Sequence, residues 1–298
     1  MDKGFRSGFV AVIGRSNVGK STLLNTIIGQ KVAIVSDKPQ TTRNQIHCVL
    51  TREDYQMIFI DTPGIHRARN KLGEYMVKTA VNTLNEVDLV LLVLDIANGI
   101  GIGDKKIMEM LRGIKSPVVV ALNKADRLTP EEVDKVMEEF KSNFQFHNYL
   151  PISALYGTNL DQLESRILDY LEEGPKYYPD DMVTDQPERV IIAELIREKA
   201  LDLLREEIPH GIGVEITSIN ERQDQELMDI YATIFVEKKS HKGMVIGKRG
   251  QMLKEIGQRA RKDIEGLLGI QVYLELWIKI TEDWRNSPRA LRDLGYNR

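Results

Sequence analysis

Apolar residues in the first half of the chain gather in short, nearly continuous runs, separated by segments in which they recur every three or four positions. The runs Phe9 to Ile13, Asn44 to Leu50, Gln56 to Ile60, Asp88 to Leu94, Val118 to Leu122 and Tyr149 to Ile152 predict strands. Their near lack of polar alternation predicts burial on both faces. The slower rhythm predicts helices around Lys20 to Ile28, Asn70 to Asn85, Asp104 to Arg112, Pro130 to Ser142 and Leu160 to Leu171. Strands alternating with helices imply an α/β domain around a mostly parallel six-stranded sheet. The second and third strands lie only a few residues apart, too few for a crossover, so an antiparallel hairpin is expected at one edge.

The pattern then lapses. Pro175, Pro179 and Pro187 with Gly174 and several acids have the composition of a linker. Beyond it come a helix (Glu188 to Glu206), two strands (Gly213 to Ile219 and Met228 to Glu237), a glycine-containing loop, a helix (Gln251 to Leu267) and a strand (Val272 to Ile280). The last strand alternates, with Val272, Leu274, Leu276, Ile278 and Ile280 on one face and Tyr273, Glu275, Trp277 and Lys279 on the other. This is the pattern of a smaller α+β module. Ser287 and Pro288 read as the N-cap and first turn of a short basic helix, Arg289 to Leu294. The expected division is 1–173, a linker at 174–189, the module at 190–284 and a basic tail at 285–298.

Composition adds limits. The 298 residues, 42% hydrophobic, suffice for two cores, and 29% charged residues leave a net charge of only -3, so the total points to no polyanionic partner. One cysteine, Cys48, excludes an intrachain disulfide framework or a Cys-rich metal site and fits a reducing compartment. The start, Met1 to Gly8, lacks the apolar stretch of a secretory signal. Val87 to Ala97, the most apolar run, is interrupted by Asp88 and Asp95 and falls short of the roughly 20 residues of a membrane helix. A cytoplasmic protein is expected.

Chemistry enters at the ends of the predicted strands. Gly14-Arg15-Ser16-Asn17-Val18-Gly19-Lys20-Ser21 follows a strand, opens a helix and fits the phosphate-loop pattern G-x-x-x-x-G-K-[ST]. Glycines let backbone amides approach phosphates, Lys20 reaches the β and γ phosphates, and the Ser21 hydroxyl serves Mg²⁺. Val18 and Thr22 flank these contacts. The loop alone does not separate ATP from GTP, and a phosphate-loop metabolite kinase would share it. Asn123-Lys124-Ala125-Asp126 makes the choice, because the Asp126 carboxylate can accept from both N1–H and the exocyclic amine of guanine. Lys124 is expected along the purine plane, and Ser153-Ala154-Leu155 is expected to offer an amide to the guanine oxygen. Asp61-Thr62-Pro63-Gly64 supplies a carboxylate for Mg²⁺ and a glycine to sense the γ-phosphate. In the polar loop Ser36 to Arg43, Thr42 is the choice to complete the Mg²⁺ shell, with Thr41 the alternative. Lys20, Thr42 and Gly64 are therefore the candidate catalytic set.

Two departures from the Ras pattern stand out in a site that resembles the translation-factor-related branch of small GTPases. Ile65 follows Gly64 where Ras-like enzymes place a water-orienting glutamine, which predicts slow intrinsic hydrolysis. Asn17 occupies the position that ligates K⁺ in related potassium-activated GTPases, making K⁺ a candidate second cation.

In the C-terminal module, Val245-Ile246-Gly247-Lys248-Arg249-Gly250 carries a G-x-x-G loop before a long helix, as KH domains do to clamp single-stranded RNA. Lys254 lies one turn on. From Glu237 to Lys262 the net charge is +7, a nucleic-acid footprint in a near-neutral chain. Arg285, Arg289 and Arg292 extend the basic character, and Trp284 reads as a packing anchor. A GTPase domain, a Pro-containing linker and a type II KH module together resemble the bacterial Era GTPases. The matching segments are Val18 to Asn25, Gln40-Thr41-Thr42-Arg43, Asp61 to His66, Asn123 to Asp126, Val245 to Gly250 and Trp284-Arg285. The resemblance covers essentially the whole chain. It implies a Ras-like P-loop fold followed by a type II KH domain, and GTP-dependent maturation of the small (30S) ribosomal subunit. It further implies a grip on single-stranded ribosomal RNA near the 3' end of the small-subunit RNA, and peripheral association with the inner face of the membrane. A monomer is expected. A GTPase of tRNA modification or protein targeting is the rival, for which a basic KH-like module is the wrong attachment.

Overall fold

The structure is a computed structural model describing residues 4–38, 40–65, 68, 70–84, 86–144, 146, 148–205, 208–222 and 226–296. Its contacts divide the chain into two compact units. The first comprises Met1–Ala33, Thr42–Arg67 and Met76–Asp185, and the second Ile34–Thr41, Ala68–Tyr75 and Gln186–Arg298.

The first unit is built on six strands, β1 (Arg6–Ile13), β2 (Ile46–Thr51), β3 (Tyr55–Asp61), β4 (Leu89–Asp95), β5 (Val118–Asn123) and β6 (Asn148–Pro151), in the order β2-β3-β1-β4-β5-β6. Only the β2–β3 pair is antiparallel. The expected edge hairpin is present, because three residues between Thr51 and Tyr55 leave room for a turn and nothing more. Side-chain alternation sorts each central strand into two cores. Val10, Val12, Leu89, Leu91 and Val93 join one cluster, while Ala11, Ile13, Val90, Leu92 and Leu94 join another. A strand buried on both faces has no use for polar positions, which accounts for its continuous apolar run.

The two cores of the sheet are completed by buried residues of α1 (Lys20–Ile28), α3 (Ile102–Leu111), α4 (Pro130–Asn143) and α5 (Leu160–Leu168), with α2 (Lys71–Thr83) lying between β3 and β4 in chain order. Local chemistry sets their ends. At α4, Thr129 accepts from the Glu132 amide and Glu132 returns a carboxylate to the Thr129 amide, with Pro130 in the first turn. The α1 helix stops at Gly29, which adopts the left-handed conformation.

In the second unit, α6 (Glu188–Leu203) and α8 (Gln251–Leu268) pack with a three-stranded sheet of β7 (Gly213–Arg222), β8 (Leu227–Val236) and β9 (Gln271–Ile280). β7 and β8 run antiparallel, with a register shift between Ile216 and Ser218, and β8 and β9 run parallel. On α8, Ile256, Ala260 and Ile264 are buried at a spacing of four, one face of a helix. The predicted glycine-containing loop is in part a helix, α7 (Lys239–Ile246), with only Val245 buried. Gly243 and a single buried position leave it no apolar rhythm to read. The chain closes with α9 (Pro288–Asp293), whose N-cap Ser287 accepts from the Ala290 amide. Trp284 is fully buried and donates from Nε1 to the Gly211 carbonyl at 2.9 Å.

Ile34 is buried in the hydrophobic cluster of this second unit. Glu198 accepts from the Val35 amide at 2.8 Å, and Arg197 donates to the Thr41 carbonyl. Among the described residues no helix is long and apolar enough to cross a membrane. Pro39 and His66, which fall within two of the quoted motifs, and the predicted helix ends Asn85 and Glu206 lie outside the described residues.

Candidate nucleotide and RNA sites

Parallel strands β1, β4 and β5 end side by side, and their C-terminal edge gathers the chemistry. The chain leaves β1 at Ile13, turns through the phosphate loop and enters α1 at Lys20. Gly19 makes this turn with φ 100°, and a Cβ there would strike the Asn123 side-chain amide. Buried Lys20 donates from Nζ to the carbonyls of Gly14 (3.2 Å) and Arg15 (3.0 Å). Burial lowers the pKa of its ammonium, opposed by the Asp61 carboxylate. Such an ammonium gains from an anion that shares its pocket.

Asp61, at the end of β3, is fully buried, and its Oδ2 accepts from Ser21 Oγ (3.0 Å) and Thr42 Oγ1 (3.1 Å). The two hydroxyl oxygens are themselves 3.1 Å apart. Burial raises the Asp61 pKa, opposed by Lys20 and by those hydroxyls. Its Oδ1 is buried without a hydrogen-bond partner. One carboxylate with a spare buried oxygen beside two hydroxyls is an all-oxygen donor set that suits Mg²⁺. The Thr41 hydroxyl donates to the Lys38 carbonyl at 2.6 Å.

The Asn123-Lys124-Ala125-Asp126 segment begins at the end of β5. Asn123, almost fully buried, donates from Nδ2 to the Val18 carbonyl (2.8 Å) and accepts at Oδ1 from the Ala154 amide (2.9 Å). It ties the phosphate loop to the segment after β6. Of the Ser153-Ala154-Leu155 segment, expected to offer an amide to the guanine oxygen, the Ala154 amide is engaged by Asn123 in this structure. Lys124 has a left-handed backbone and donates from Nζ to the Asn17 carbonyl (2.9 Å) and to Asp95 Oδ2 (2.6 Å). Its side chain therefore bridges the phosphate loop and the end of β4. Ser153 donates to Asp126 Oδ1 at 2.5 Å and so orients that carboxylate.

Two partners escaped the sequence. Asp95 holds Lys124 and also accepts from Asn98 at 2.7 Å. Burial acts to raise its pKa, but hydrogen bonds from Lys124 and Asn98 prevail and hold it below the ordinary value. Asp104 accepts from Arg15 Nε at 2.7 Å and caps α3 through the Gly101 amide at 2.8 Å. A lone acid at the end of an apolar strand was the available signal for Asp95. Asp104 had none, since an acid in a first helical turn is commonplace.

In the second unit, α7 ends at Val245 and Ile246, and the chain reverses through Gly247 (φ 72°) and Gly250 (φ 78°) into α8. A Cβ on Gly247 would lie 2.6 Å from Met252 Cβ and 2.9 Å from its nitrogen, so only glycine fits the corner. Lys248 and Arg249 are exposed at the tip. Beside it, a cleft of about 420 Å³ runs between α8 and β9, lined by Gly250, Lys254, Gly257 and Arg261 on one wall and Tyr273 to Leu276 on the other. Arg285 is not spread on this surface; it pairs with Glu237 at 2.5 Å.

Residues 9–124 match the family described as 50S ribosome-binding GTPase, and residues 207–285 match the KH domain. The chain is thus a P-loop GTPase, a GTP hydrolase, that carries a KH domain. It is 56% identical to GTPase Era of Alkaliphilus oremlandii, over 98% of this chain and 99% of that protein. It is 53% identical to GTPase Era of Clostridioides difficile, over 98% and 99%. Among solved structures, Era in complex with MgGDPNP and nucleotides 1506–1542 of 16S ribosomal RNA superposes with a TM-score of 0.94 at 42% identity, covering 98% of this chain and 99% of that one. A point variant of Aquifex aeolicus Era bound to GDP.AlF4⁻ gives the same TM-score, identity and coverage. The chain belongs to the Era GTPase family.

Proposed function

We propose that this chain is a GTP-timed grip on ribosomal RNA that acts in maturation of the small ribosomal subunit. The observation that carries this reading is the basic Gly247–Gly250 corner opening onto the α8–β9 cleft, on one chain with a guanine-nucleotide site. The solved Era complex with MgGDPNP and 16S nucleotides 1506–1542 supports it and points to the 3' end of the small-subunit RNA. Residues 1–173 form the GTPase domain, 174–189 the linker, 190–284 the KH domain and 285–298 the tail in this assignment.

Within it, the amides of Gly14 to Gly19 and the Lys20 ammonium receive the phosphates, while Asp126, Lys124 and the loop at Ser153 and Ala154 receive guanine. Ser21, Thr42 and Asp61 would hold Mg²⁺, which neutralises charge on the phosphates when bound. Gly64 offers its amide to the γ-phosphate. Val245, Ile246, Lys248, Arg249 and Lys254 receive RNA, the cations against phosphate and the apolar pair beneath the loop. Asn17 is assigned as a K⁺ ligand, supported by its exposed place at the loop tip with a left-handed backbone. A monomer in the cytoplasm with peripheral membrane association rests on family resemblance.

The test is RNA affinity in the GTP-bound and GDP-bound forms. Replacing Lys248 and Arg249 together by Asp is expected to weaken RNA binding at least ~100-fold and to flatten its salt dependence, with GTP hydrolysis in the absence of RNA unchanged. Unaltered RNA affinity in that variant removes the grip; equal affinity in the two nucleotide states removes the timer.

A further inference from the structure

Hydrolysis in this site has no side chain at residue 65 to orient water, since Ile65 packs against the core cluster of Ala11, Ile13 and Ile60. Its amide donates to the Gly14 carbonyl at 3.4 Å, which lays the segment after β3 along the phosphate loop. At that seam Gly64 touches Ser16. A Cβ added to Gly64 would fall 2.7 Å from Ser16 Oγ, 2.8 Å from Ser16 N and 3.0 Å from Ser16 Cα. The other two side chains of the loop tip are committed elsewhere or turned outward. Arg15 is drawn to α3 by Asp104 at 2.7 Å, and Asn17 is exposed. The half-buried Ser16 hydroxyl is thus a polar side-chain group at the junction of the phosphate loop and Gly64.

We propose that Ser16 is a catalytic residue of GTP hydrolysis, its hydroxyl meeting the γ-phosphate and the attacking water at the place left by Ile65. A hydroxyl has one donor and two acceptor positions, so it can donate to a γ-phosphate oxygen and accept from water together. It orients and does not ionise. The water oxygen forms the new bond to the γ-phosphorus, and the bond to the β–γ bridging oxygen breaks with its electron pair leaving on GDP. The water proton passes to a γ-phosphate oxygen. Ser16 returns unchanged, and no other reactant is needed. The inference rests on Gly64 bordering the γ-phosphate.

The experiment is single-turnover hydrolysis by the full-length chain with saturating Mg²⁺ and K⁺, beside affinities for GDP and for a non-hydrolysable GTP analogue. Ser16→Ala is expected to slow the chemical step roughly 100- to 1,000-fold while GDP, which lacks the γ-phosphate, binds as before. Ser16→Thr keeps the hydroxyl and is expected to recover most of the rate. A parental rate in Ser16→Ala overturns the proposal, and so does a parallel loss of GDP affinity, which marks a structural role. Gly64→Ala is read separately: its added methyl enters the seam, and a parental rate there removes Gly64 from the γ-phosphate and with it the basis for Ser16.

Discussion

Asn123 is where one atom tests the architecture of the nucleotide site. Its side chain bridges the phosphate loop and the segment after β6 by donating to the Val18 carbonyl at 2.8 Å and accepting from the Ala154 amide at 2.9 Å, with 2% of its surface exposed. Asn123→Asp keeps the shape and the acceptor but cannot donate, so a carboxylate oxygen faces the Val18 carbonyl. A buried acceptor stripped of its donor costs about 1–3 kcal/mol, or about 5- to 150-fold in an equilibrium constant. If the phosphate loop relaxes when empty, the loss appears as weaker nucleotide binding; if not, it appears as lower stability. Titration calorimetry with GDP and thermal melts with and without GDP capture both. The expected result is a GDP Kd raised at least fivefold in Asn123→Ala, which strands both partners, and at least as much in Asn123→Asp, whose buried carboxylate is set against the Val18 carbonyl. A GDP Kd within twofold of the parent, together with unchanged melting temperatures, would show that the bridge does not organise the site.

The remaining expectations concern separate parts of the molecule. Asp126→Asn should move preference from GTP towards xanthosine triphosphate, because an amide donates where the carboxylate accepted; competition binding of the two nucleotides reads this, and an unmoved preference places guanine elsewhere. Trp284→Phe removes the donor to the Gly211 carbonyl and leaves a void, which should cost the second unit about 2–4 kcal/mol; a urea midpoint for that unit equal to the parent's contradicts it. Cys48 is fully buried, and burial pushes its thiol well above the ordinary value, with Asp61 and Asp185 adding to the effect. Labelling by a thiol reagent at about pH 8 should therefore wait for opening of the first unit and should slow further with GDP. Immediate labelling of the native chain would refute it.

The first unit was legible because burial on both sheet faces writes an unbroken apolar run, and the motifs sit where those runs stop. The end of α1 follows from the left-handed Gly29 just after it. What escaped was set by partners far along the chain. Asp104 matters through Arg15, 89 positions away, and no local pattern foretells such a pair. The predicted strand from Asn44 begins instead at Ile46, where pairing with Asp61 starts. In the second unit, α8 announced itself by its apolar stripe, whereas α7 carries Gly243 and buries one residue. The choice between Thr41 and Thr42 lay beyond the sequence, since adjacent threonines differ only in which way the backbone turns them; here Thr42 meets Asp61 and Thr41 turns to Lys38.

The placing of Ile34 in the second hydrophobic cluster has a consequence for synthesis. That cluster also contains Ile192, Leu195 and Ile196 of α6, which leave the ribosome more than 150 residues later. At about 5–20 residues per second the interval is on the order of 10–30 s. During that time Ile34 has none of these partners, although the helix just before it can already form. The nascent chain thus carries an apolar segment awaiting its socket, and translation speed sets how long it waits.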